Sequence, residues 1–389
     1  MKYLYKCGLV IGSFNPPHFG HINLIECALE MCERVIVQVG MSSVDVIKPF
    51  DLKEYLIRTN LNPRLLSRQQ NLIFYEFDDE LYIQQARSYD NVVKSEEYWT
   101  SWIERTKESF STLGDFPDVI VSSEKYAIRI SEELKIDFVE YDRWRVLAGI
   151  SSSTCRSLMD TDLILNGVSS NVWNRLLPQI RERFAKLIII NGVEGSGKST
   201  LVEGIRDNYT SGVNIVHEYG RTYCENLAEK QGIQTKDVIL TLKDFKNIVI
   251  VHDTQLSRAA RHSNTGLVVS DTDALTTSIF STFLLPPEEA LEFQNWVKPF
   301  IEKQLANVDI YILTSPAFYY DHDGSRVLTN EQRELFYQIL TETLSEYNIP
   351  FQTLSAGSTT NVLGQAFIAM KSIPRKGGIS KKLGVPSEW

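Results

Sequence analysis

The sequence predicts an α/β protein with two doubly wound domains, each built on a parallel sheet. The chain has 389 residues, more than one typical domain holds. Apolar runs of strand length alternate with amphipathic stretches of helical length, which is the pattern of βαβ units. This alternation starts at the N-terminus and again near residue 186. We therefore expect domains at 1–180 and 181–370, with a boundary inside the polar stretch 160–184, and a polar, basic tail at 371–389.

The first series contains a clear strand–helix–strand unit. The strand candidates are "YKCGLVIG", "RVIVQVG", "NLIFYEF", "DVIVSS" and "DFVEY". The stretch "HINLIECALEMCE" follows the first of them and repeats apolar residues at helical spacing from Ile22 to Cys32. This order predicts a parallel sheet with a helix crossing between its first two strands.

The second series starts at "AKLIIINGVEGSGKSTLVEGI" and continues with the strand candidates "NIVHEYG", "GLVVSDTD" and "VDIYILTS". One segment, residues 245–262, stays open. "FKNIVIVHD" has the composition of a buried strand that ends at Asp253, whereas "FKNIVIVHDTQLSRAARH" fits a helix with an apolar face. Periodicity alone does not decide between the two.

Composition excludes several classes of protein. Apolar residues make up 43% and charged residues 23%, which are the values of a globular chain. The net charge of −9 argues against a non-specific nucleic-acid binder. No stretch approaches the ~18 apolar residues of a membrane span, and "MKYLYKCGLVIG" lacks the features of a secretory leader. We expect a soluble, cytoplasmic protein with neither a membrane nor a nucleic-acid partner.

Cysteine usage supports the same compartment. The five cysteines are odd in number and include no CxxC pair, which favours reduced thiols over a disulfide frame or a zinc site. They are Cys7, Cys27, Cys32, Cys155 and Cys224.

"GVEGSGKS" is the strongest chemical signal in the chain. It matches the pattern G-x-x-x-x-G-K-[ST] and lies between a strand candidate and a helix candidate. Its glycines let backbone N–H groups turn toward phosphate oxygens, Lys198 reaches the β- and γ-phosphates, and the Ser199 hydroxyl is placed to ligate Mg²⁺. The motif predicts an ATP or GTP site formed by Gly192, Glu194, Gly195, Ser196, Gly197, Lys198, Ser199 and Thr200.

Acidic residues after two other strand candidates complete such a site. Asp271 and Asp273 follow an apolar run, where the second magnesium-side carboxylate of a P-loop enzyme belongs. Glu218 and Arg221 lie just past the predicted second strand of this series. Glu218 is either the base that takes the proton of a substrate hydroxyl or an ordinary surface charge.

The polar stretch "DHDGSR" suits a lid. It contains Asp323 and Arg326, and its arginine would contact the transferred phosphoryl group or stand solvated.

"GLVIGSFNPPHFGH", residues 8–21, is an unusual strand-to-helix turn. Gly12 allows a phosphate to approach the backbone, while Pro16 and Pro17 stiffen the loop. His18 and His21 are three residues apart and share one face if a helix begins near Pro17. Two imidazoles beside a helix start provide donors for a polyphosphate. A metal pair is the weaker alternative, since no carboxylate or cysteine accompanies them.

This string resembles the G-x-F-x-P-x-H-x-G-H motif of the nucleotidyltransferase superfamily. "ISSSTCR", 150–156, resembles the superfamily's second element, I-S-[SG]-[ST]-x-x-R. The resemblance implies attack of a substrate phosphate on the α-phosphate of ATP with release of pyrophosphate, and catalytic roles for His18, His21 and Arg156. It also implies ATP and substrate contacts at Gly12, Ser13, Phe14, Asn15, Ser123, Asp142, Arg145, Ser151, Ser152 and Ser153.

A nucleotidyltransferase upstream of a P-loop kinase resembles two known combinations. One is the bifunctional NMN adenylyltransferase/ribosylnicotinamide kinase family, and the other joins phosphopantetheine adenylyltransferase to dephospho-coenzyme A kinase. "VSSEKY", "DRWR", "EYGR" and "DTDALTT" favour the first. It implies an N-terminal Rossmann-like adenylyltransferase domain, a C-terminal ribosylnicotinamide kinase domain, and ATP, NMN, nicotinamide riboside, NAD and Mg²⁺ as ligands.

In the kinase half, the same resemblance implies catalytic roles for Lys198, Glu218 and Asp271, magnesium at Ser199 and Asp271, and Arg326 at the phosphates. It implies nicotinamide riboside contacts at Glu218, Tyr219, Arg221, Asp271 and Asp273.

The chain departs from the family in three places. Cys155 stands where isoleucine is usual, the region 49–97 is hard to align, and the chain starts at the first strand without a helix-turn-helix. DNA binding is therefore not implied, and a homo-oligomer stays open. Trp99 and Trp102 are candidates for stacking on a pyridinium ring or for ordinary core packing.

A protein of another class, a sensor that binds ATP and NAD without turnover, is a further alternative. It would be free to lose Glu218, Asp271 or His21, and this chain retains all three.

Overall fold

The computed structural model describes residues 3–43, 45, 47–79, 96–147, 149–160, 173–209, 212–316 and 328–372. They belong to two compact units, Met1–Met159 with Asn174–Ile180 and Asp160–Trp173 with Arg181–Trp389. The described strands of each unit form a five-stranded parallel sheet, which confirms the predicted fold class. The predicted single boundary at residue 180 stays a prediction.

In the first unit the strands are β1 (Tyr5–Gly12), β2 (Cys32–Met41), β3 (Leu72–Asp78), β4 (Val119–Ser122) and β5 (Asp137–Glu140), in the spatial order β3-β2-β1-β4-β5. The helices are α1 (Phe19–Met31), α2 (Phe50–Arg58), α3 (Glu96–Leu113), α4 (Tyr126–Leu134) and α5 (Ser152–Asp160), with a 3-10 segment at Pro63–Asn71. Every strand candidate of the first series is a strand.

The core of the first unit explains this sheet order. The central strand β1 is buried from Cys7 to Val10, and the apolar run of β2 pairs with it in parallel. Helices α3 and α4 cover one face, where Trp102 and Phe110 pack with Leu9 and Ile36. Parallel strands buried on both faces need such continuous apolar runs.

In the second unit the strands are β6 (Lys186–Gly192), β7 (Asn214–Val216), β8 (Leu267–Asp271), β9 (Ile310–Thr314) and β10 (Phe351–Leu354), in the order β10-β9-β6-β8-β7. After α6 (Pro178–Phe184), the helices are α7 (Lys198–Asn208), α8 (Tyr219–Gln231), α9 (Leu242–His262), α10 (Ala274–Leu284), α11 (Pro287–Asn307), α12 (Asn330–Glu346) and α13 (Thr359–Lys371), with a 3-10 segment at Thr235–Asp237.

The segment left open by the sequence is the helix α9, so its strand alternative is wrong. Residues Phe245, Val249, His252 and Leu256 recur at helical spacing and are buried. At the helix start, the Thr241 side chain accepts from the backbone of Asp244, whose own side chain accepts in return. This capping box fixes the helix start, and burial of the apolar face selects helix over strand.

In both units a glycine ends the central strand of the sheet. In open α/β sheets, ligands bind in the crevice outside these strand ends. Gly12 ends β1, and Gly192 ends β6. Both are central strands, so the two loops predicted to bind phosphates occupy equivalent places in the two sheets.

Candidate active sites

The start of α1 brings the two predicted histidines together. His18 is the N-cap residue, and its Nδ1 accepts a hydrogen bond from the Gly20 backbone N–H at 3.1 Å. The backbone N–H of His18 donates to Nδ1 of His21 at 3.3 Å, and the two rings stack with centroids 3.7 Å apart. Hydrogen bonds at the helix start therefore hold both imidazoles in place.

Electrostatics keep these rings neutral. Burial lowers the pKa of His18 to about 3, with a smaller effect from Arg145. Burial also holds the pKa of His21 well below its ordinary value, and His18, Arg145 and Lys53 act in the same direction. At neutral pH the pair offers neutral hydrogen-bonding groups. Nε2 of His18 has no hydrogen-bond partner among the residues that the structure describes.

The two nucleotidyltransferase-like motifs, far apart in the sequence, meet at the strand ends. A guanidinium nitrogen of Arg156 donates to the carbonyl of Asn15 at 2.7 Å, and Oγ of Ser152 lies 3.4 Å from the carbonyl of Pro16. Ser151 caps the start of α5, because its Oγ accepts from the backbone N–H of Thr154 at 3.0 Å. Ser152 and Arg156 of the second motif thus contact the loop of the first motif directly.

A cavity of about 440 Å³ lies next to this junction, entirely within the first unit. The predicted residues that line it are Gly12, Ser13, His18, His21, Ser123, Asp142, Arg145, Ser151, Ser152, Ser153 and Arg156. Aromatic residues form another part of its wall: Phe77, Trp99, Trp102, Tyr126 and Tyr141. The cavity therefore combines polar donors suited to phosphates with flat apolar surfaces suited to a ring.

Phe14 and Asn15 do not line this cavity, and their predicted contacts with ATP or NMN stay predictions. Phe14 is fully buried, and its ring meets the His21 ring edge-on at 4.8 Å. The Asn15 side chain donates to Asp45 at 2.8 Å and accepts from the backbone of Ile47 at 3.3 Å. Both side chains are buried and contact other residues of the protein, so they support the shape of the loop.

The loop after β5 holds its residues through local bonds. Arg145, at a positive φ of 54°, forms an ion pair with Glu124 at 2.6 Å and donates to the carbonyl of Ile150. The Asp142 carboxylate accepts from the backbone of Leu147, and the Ser123 hydroxyl donates to the carbonyl of Tyr141. Glu124 was not predicted as a site residue, although it belongs to the "VSSEKY" element.

The indole pair both packs and lines the cavity. Trp102 is only 5% exposed and packs against Phe77, with ring centroids 5.2 Å apart. Trp99 contacts Trp102 edge-on and lies beside Tyr126. Core packing and stacking on a ligand ring, the two alternatives for these tryptophans, are therefore compatible with each other.

A buried ion pair under the loop was not found by sequence reasoning. Nζ of Lys53, a fully buried residue of α2, lies 2.6 Å from Oδ2 of Asp45 and donates to the carbonyls of Ser13 at 2.7 Å and Gly40 at 3.2 Å. It ties together the loops that follow β1 and β2. In the sequence, both residues belong to a polar stretch without a recognisable motif.

In the second unit the P-loop adopts the predicted strand–loop–helix form. Gly195 and Gly197 have positive φ values of 65° and 84°, and Gly197 is the N-cap of α7. Nζ of Lys198 lies 3.0 Å from the carbonyl of Val193. Oγ of Ser196 contacts Oγ1 of Thr314 at 2.6 Å, which joins the loop to the end of β9. Thr314 carries no sequence signal of its own.

Other members of the predicted ATP set lie around this loop. Oε1 of Glu194 accepts from the backbone of Leu328 at 2.7 Å, and the carbonyl of Glu194 accepts from buried Arg333 at 2.7 Å. Thr200 lines a smaller cavity of about 150 Å³ together with Gly357 and Leu363. Asp323 and Arg326, the predicted lid residues, lie outside the described residues.

Ser199 and Asp271 are brought together as predicted. Oγ of Ser199 donates to Oδ2 of Asp271 at 2.7 Å, and the aspartate is buried at the end of β8. Its other oxygen, Oδ1, is buried without a hydrogen-bond partner in the described part of the chain. A hydroxyl beside a carboxylate with a spare oxygen suits Mg²⁺, which takes few protein ligands and completes its shell with phosphates and water.

Glu218 lies at the start of α8, as its N-cap residue. Its side chain is 24% exposed and lies 3.9 Å from Arg221. Burial raises the pKa of Glu218; the charge of Lys198 opposes this, while Asp271 adds to it. Tyr219 begins the helix and contacts the ring of Tyr223 at 6.0 Å.

Asp273 lies just past the end of β8 and is buried. It is the N-cap of α10, and its carboxylate accepts from Thr276, from Asn191 at 3.2 Å and from the hydroxyl of Tyr311 at 2.5 Å. Both oxygens thus accept hydrogen bonds within the protein and Asp273 caps α10, while its predicted contact with nicotinamide riboside stays a prediction.

Metal and membrane features are few. Within the described ranges, no group of three or more His, Cys, Asp or Glu residues is placed to hold a metal ion. No helix among these residues is long and apolar enough to cross a membrane. The five cysteines are free thiols.

Two family models match the chain, one within each unit. A family model described as cytidylyltransferase-like matches residues 9–56, and one described as an AAA domain matches residues 187–361. The trifunctional NAD biosynthesis/regulator protein NadR of Escherichia coli (strain K12) is 24% identical over 354 residues, which cover 88% of this chain and 77% of that protein.

Two solved structures share the fold over almost the whole chain. The NadR protein in complex with NR aligns with a TM-score of 0.65 at 17% identity, and the NadR protein in complex with NAD and AMP-PNP aligns with a TM-score of 0.64 at 18% identity. Each alignment covers 95% of this chain and 96% of the other.

Proposed function

We propose, from the premise that the chain belongs to the NadR-like family, that it makes NAD in two steps. The second unit transfers the γ-phosphoryl group of ATP to the 5′-hydroxyl of nicotinamide riboside, which gives NMN and ADP. The first unit joins NMN to the adenylyl group of ATP, which gives NAD and pyrophosphate. The observation that carries the proposal is the junction of Arg156 and Ser152 with the loop at Asn15 and Pro16, beside the stacked histidines.

In adenylyl transfer, the NMN phosphate oxygen forms a bond to the α-phosphorus of ATP as the bond to pyrophosphate breaks. The reaction needs in-line placement and stabilisation of charge on the phosphates, and no protein nucleophile. Arg156 and Arg145 line the cavity and supply positive charge, while His18 and His21 act as neutral hydrogen-bonding groups. The serines at the start of α5 add hydroxyl donors.

The aromatic part of the cavity suits the pyridinium ring of NMN. A cation over an indole face is favourable, and Trp99 and Trp102 both line the cavity, in edge-on contact with each other. We therefore propose that the pyridinium ring of NMN binds against this aromatic wall and that the phosphates bind to the polar donors.

In the phosphoryl transfer, Glu218 takes the proton of the riboside hydroxyl. A carboxylate whose pKa is raised toward neutral pH accepts a proton more readily in the transition state than an ordinary one. Lys198 and the P-loop backbone hold the β- and γ-phosphates. Mg²⁺, held by Ser199 and Asp271, would neutralise phosphate charge when bound. We propose that Arg221 supports the substrate phosphates or riboside from the exposed edge.

Both reactions use soluble nucleotides, and we propose that they take place in the cytoplasm. The domain division at residue 180 and a homo-oligomeric assembly belong to the same proposal.

One experiment tests the function. The purified chain is incubated with ATP, Mg²⁺ and nicotinamide riboside, and products are identified by mass over time. We expect NMN to appear first and NAD with pyrophosphate to follow. Phosphopantetheine serves as the competing substrate, and its conversion with no NMN or NAD formed would refute the proposal. Tight binding of ATP and NAD without any product would instead indicate a nucleotide sensor.

A further inference from the structure

Gln38 is a polar residue in the middle of a buried strand. It follows the apolar run Val35–Val37 of β2 and is 1% exposed. Its Nε2 reaches Oγ1 of Thr106 at 3.4 Å, near the limit for a hydrogen bond. Its Oε1 is buried and has no hydrogen-bond partner among the described residues. Buried polar groups are almost always paired, so this unpaired acceptor requires an explanation.

The position of Gln38 points to a ligand. It pairs with Ile11 of β1 and Tyr75 of β3, so apolar neighbours flank it on both strands. The side chain lies against α3, where Trp99, Trp102 and Thr106 are spaced three and four residues apart and so share one helix face. Gln38 and both indoles line the same cavity.

The chemistry of this wall is selective. Aromatic rings hold a flat ring by its faces and do not distinguish one pyridine from another. An amide oxygen among them accepts a hydrogen bond, and the available donor on a nicotinamide ring is the N–H₂ of its carboxamide. A nicotinate ring carries a carboxylate there, which offers no donor at neutral pH and would face the amide oxygen with negative charge.

We propose that Gln38 is a specificity-determining residue that accepts a hydrogen bond from the pyridine carboxamide and thereby selects NMN over nicotinate mononucleotide. The proposal rests on the adenylyl transfer proposed above and adds to it a residue that recognises the substituent of the pyridine ring. A site with a buried polar group built for one donor rejects the analogue that lacks this donor, because the group is then left unpaired.

The test combines a protein change with a substrate change. Gln38→Met keeps the length of the side chain and removes the acceptor. 3-Acetylpyridine mononucleotide keeps the ring and carbonyl of NMN and removes the N–H₂ group. We measure kcat/KM for adenylyl transfer with NMN, this analogue and nicotinate mononucleotide, for the wild-type protein and for Gln38→Met.

In the wild-type protein we expect kcat/KM to fall about 10- to 100-fold from NMN to the acetyl analogue, and at least as far to nicotinate mononucleotide. In Gln38→Met we expect the NMN value to fall by a similar factor, because the N–H₂ group loses its acceptor. We expect the acetyl analogue to lose its disadvantage and to react at least as well as NMN, because two apolar partners leave nothing unpaired. Phosphorylation of nicotinamide riboside takes place in the second unit and should not change, and urea unfolding of the variant checks that the first unit is folded.

Gln70→Met is the matched control, since Gln70 is an exposed glutamine of the same unit. It should keep the wild-type preference. Equal losses from NMN to the acetyl analogue in wild type and Gln38→Met would overturn the inference while leaving the proposed function intact. A wild-type protein that prefers nicotinate mononucleotide would overturn it too. If the wild-type protein adenylylates none of the three mononucleotides, the proposed function fails and this inference fails with it.

Discussion

Replacing Lys53 by methionine should destabilise the first unit and leave the second unchanged. Lys53 places a fully buried ammonium group among Asp45 and the carbonyls of Ser13 and Gly40. Methionine keeps most of the apolar stem and removes the charge and its three hydrogen bonds. The loops after β1 and β2 then lose their common tie.

The magnitude follows from the environment of Asp45. Breaking a buried ion pair by removing one partner typically costs about 3–5 kcal/mol, because the remaining charge is buried without compensation. Here Asp45 keeps a bond from Asn15 at 2.8 Å and contacts with Ser42 at 3.2 and 3.3 Å. We therefore expect the low end, a loss of about 3 kcal/mol in the free energy of unfolding of the first unit.

The assay is urea unfolding with adenylyl transfer and riboside phosphorylation measured alongside. We expect Lys53→Met to weaken the first unit and adenylyl transfer while phosphorylation is unchanged. Asp45→Asn in the same chain should restore part of the loss, since it removes the uncompensated charge. A loss below about 1 kcal/mol, or additive effects of the two substitutions, would refute the account of a coupled pair.

Three further outcomes are expected. His21→Ala should lower adenylyl transfer by about two orders of magnitude, the scale of a lost donor to the transition state, and near-normal NAD synthesis in the folded variant would remove His21 from the mechanism. Glu218→Gln should abolish riboside phosphorylation while ATP still binds with Mg²⁺. Asp271→Asn should instead weaken the Mg²⁺ dependence of ATP binding. If the two variants show the opposite results, the roles of Glu218 and Asp271 must be exchanged. The pKa of His18 falls from 6.5 in the unfolded chain to about 3 in the folded one. The free energy of unfolding of the first unit should therefore decline as the pH drops below about 6.5, with His18 contributing up to about 1.4 kcal/mol for each pH unit. His18→Asn retains a capping side chain and should make this decline less steep in heat-unfolding scans at pH 7 and 5.

The fold was predictable because its signals are local. Each strand of β1–β9 is a short apolar run next to a helical pattern, and the P-loop motif fixes the type of turn between β6 and α7. The sequence left residues 245–262 open between a strand and a helix. Burial of Phe245, Val249 and His252 on one face selects the helix, α9. Its capping pair, Thr241 and Asp244, is visible in the sequence and favours the helix.

The candidate sites were predictable only where a motif carries the chemistry. His18, Ser152 and Arg156 come from the two motifs and line one cavity, and their roles there stay predictions. Asn15 and Asp273 resemble ligand contacts in sequence, but their side chains bond to other parts of the protein, and this depends on residues distant along the chain. Glutamine in a strand carries no motif. Gln38 is informative only through its burial and through the helix packed over it.

The strand order also has a consequence for synthesis on the ribosome. β1 is central, and its two neighbours leave the exit tunnel at very different times: Gly8 pairs with Val35 on one side and with Val119 on the other. At roughly 5–20 residues per second, the second edge of β1 waits several seconds or more for its partner. An unpaired apolar edge is a template for wrong pairing, so this interval is when the nascent chain is most exposed to aggregation and when a chaperone would have most effect.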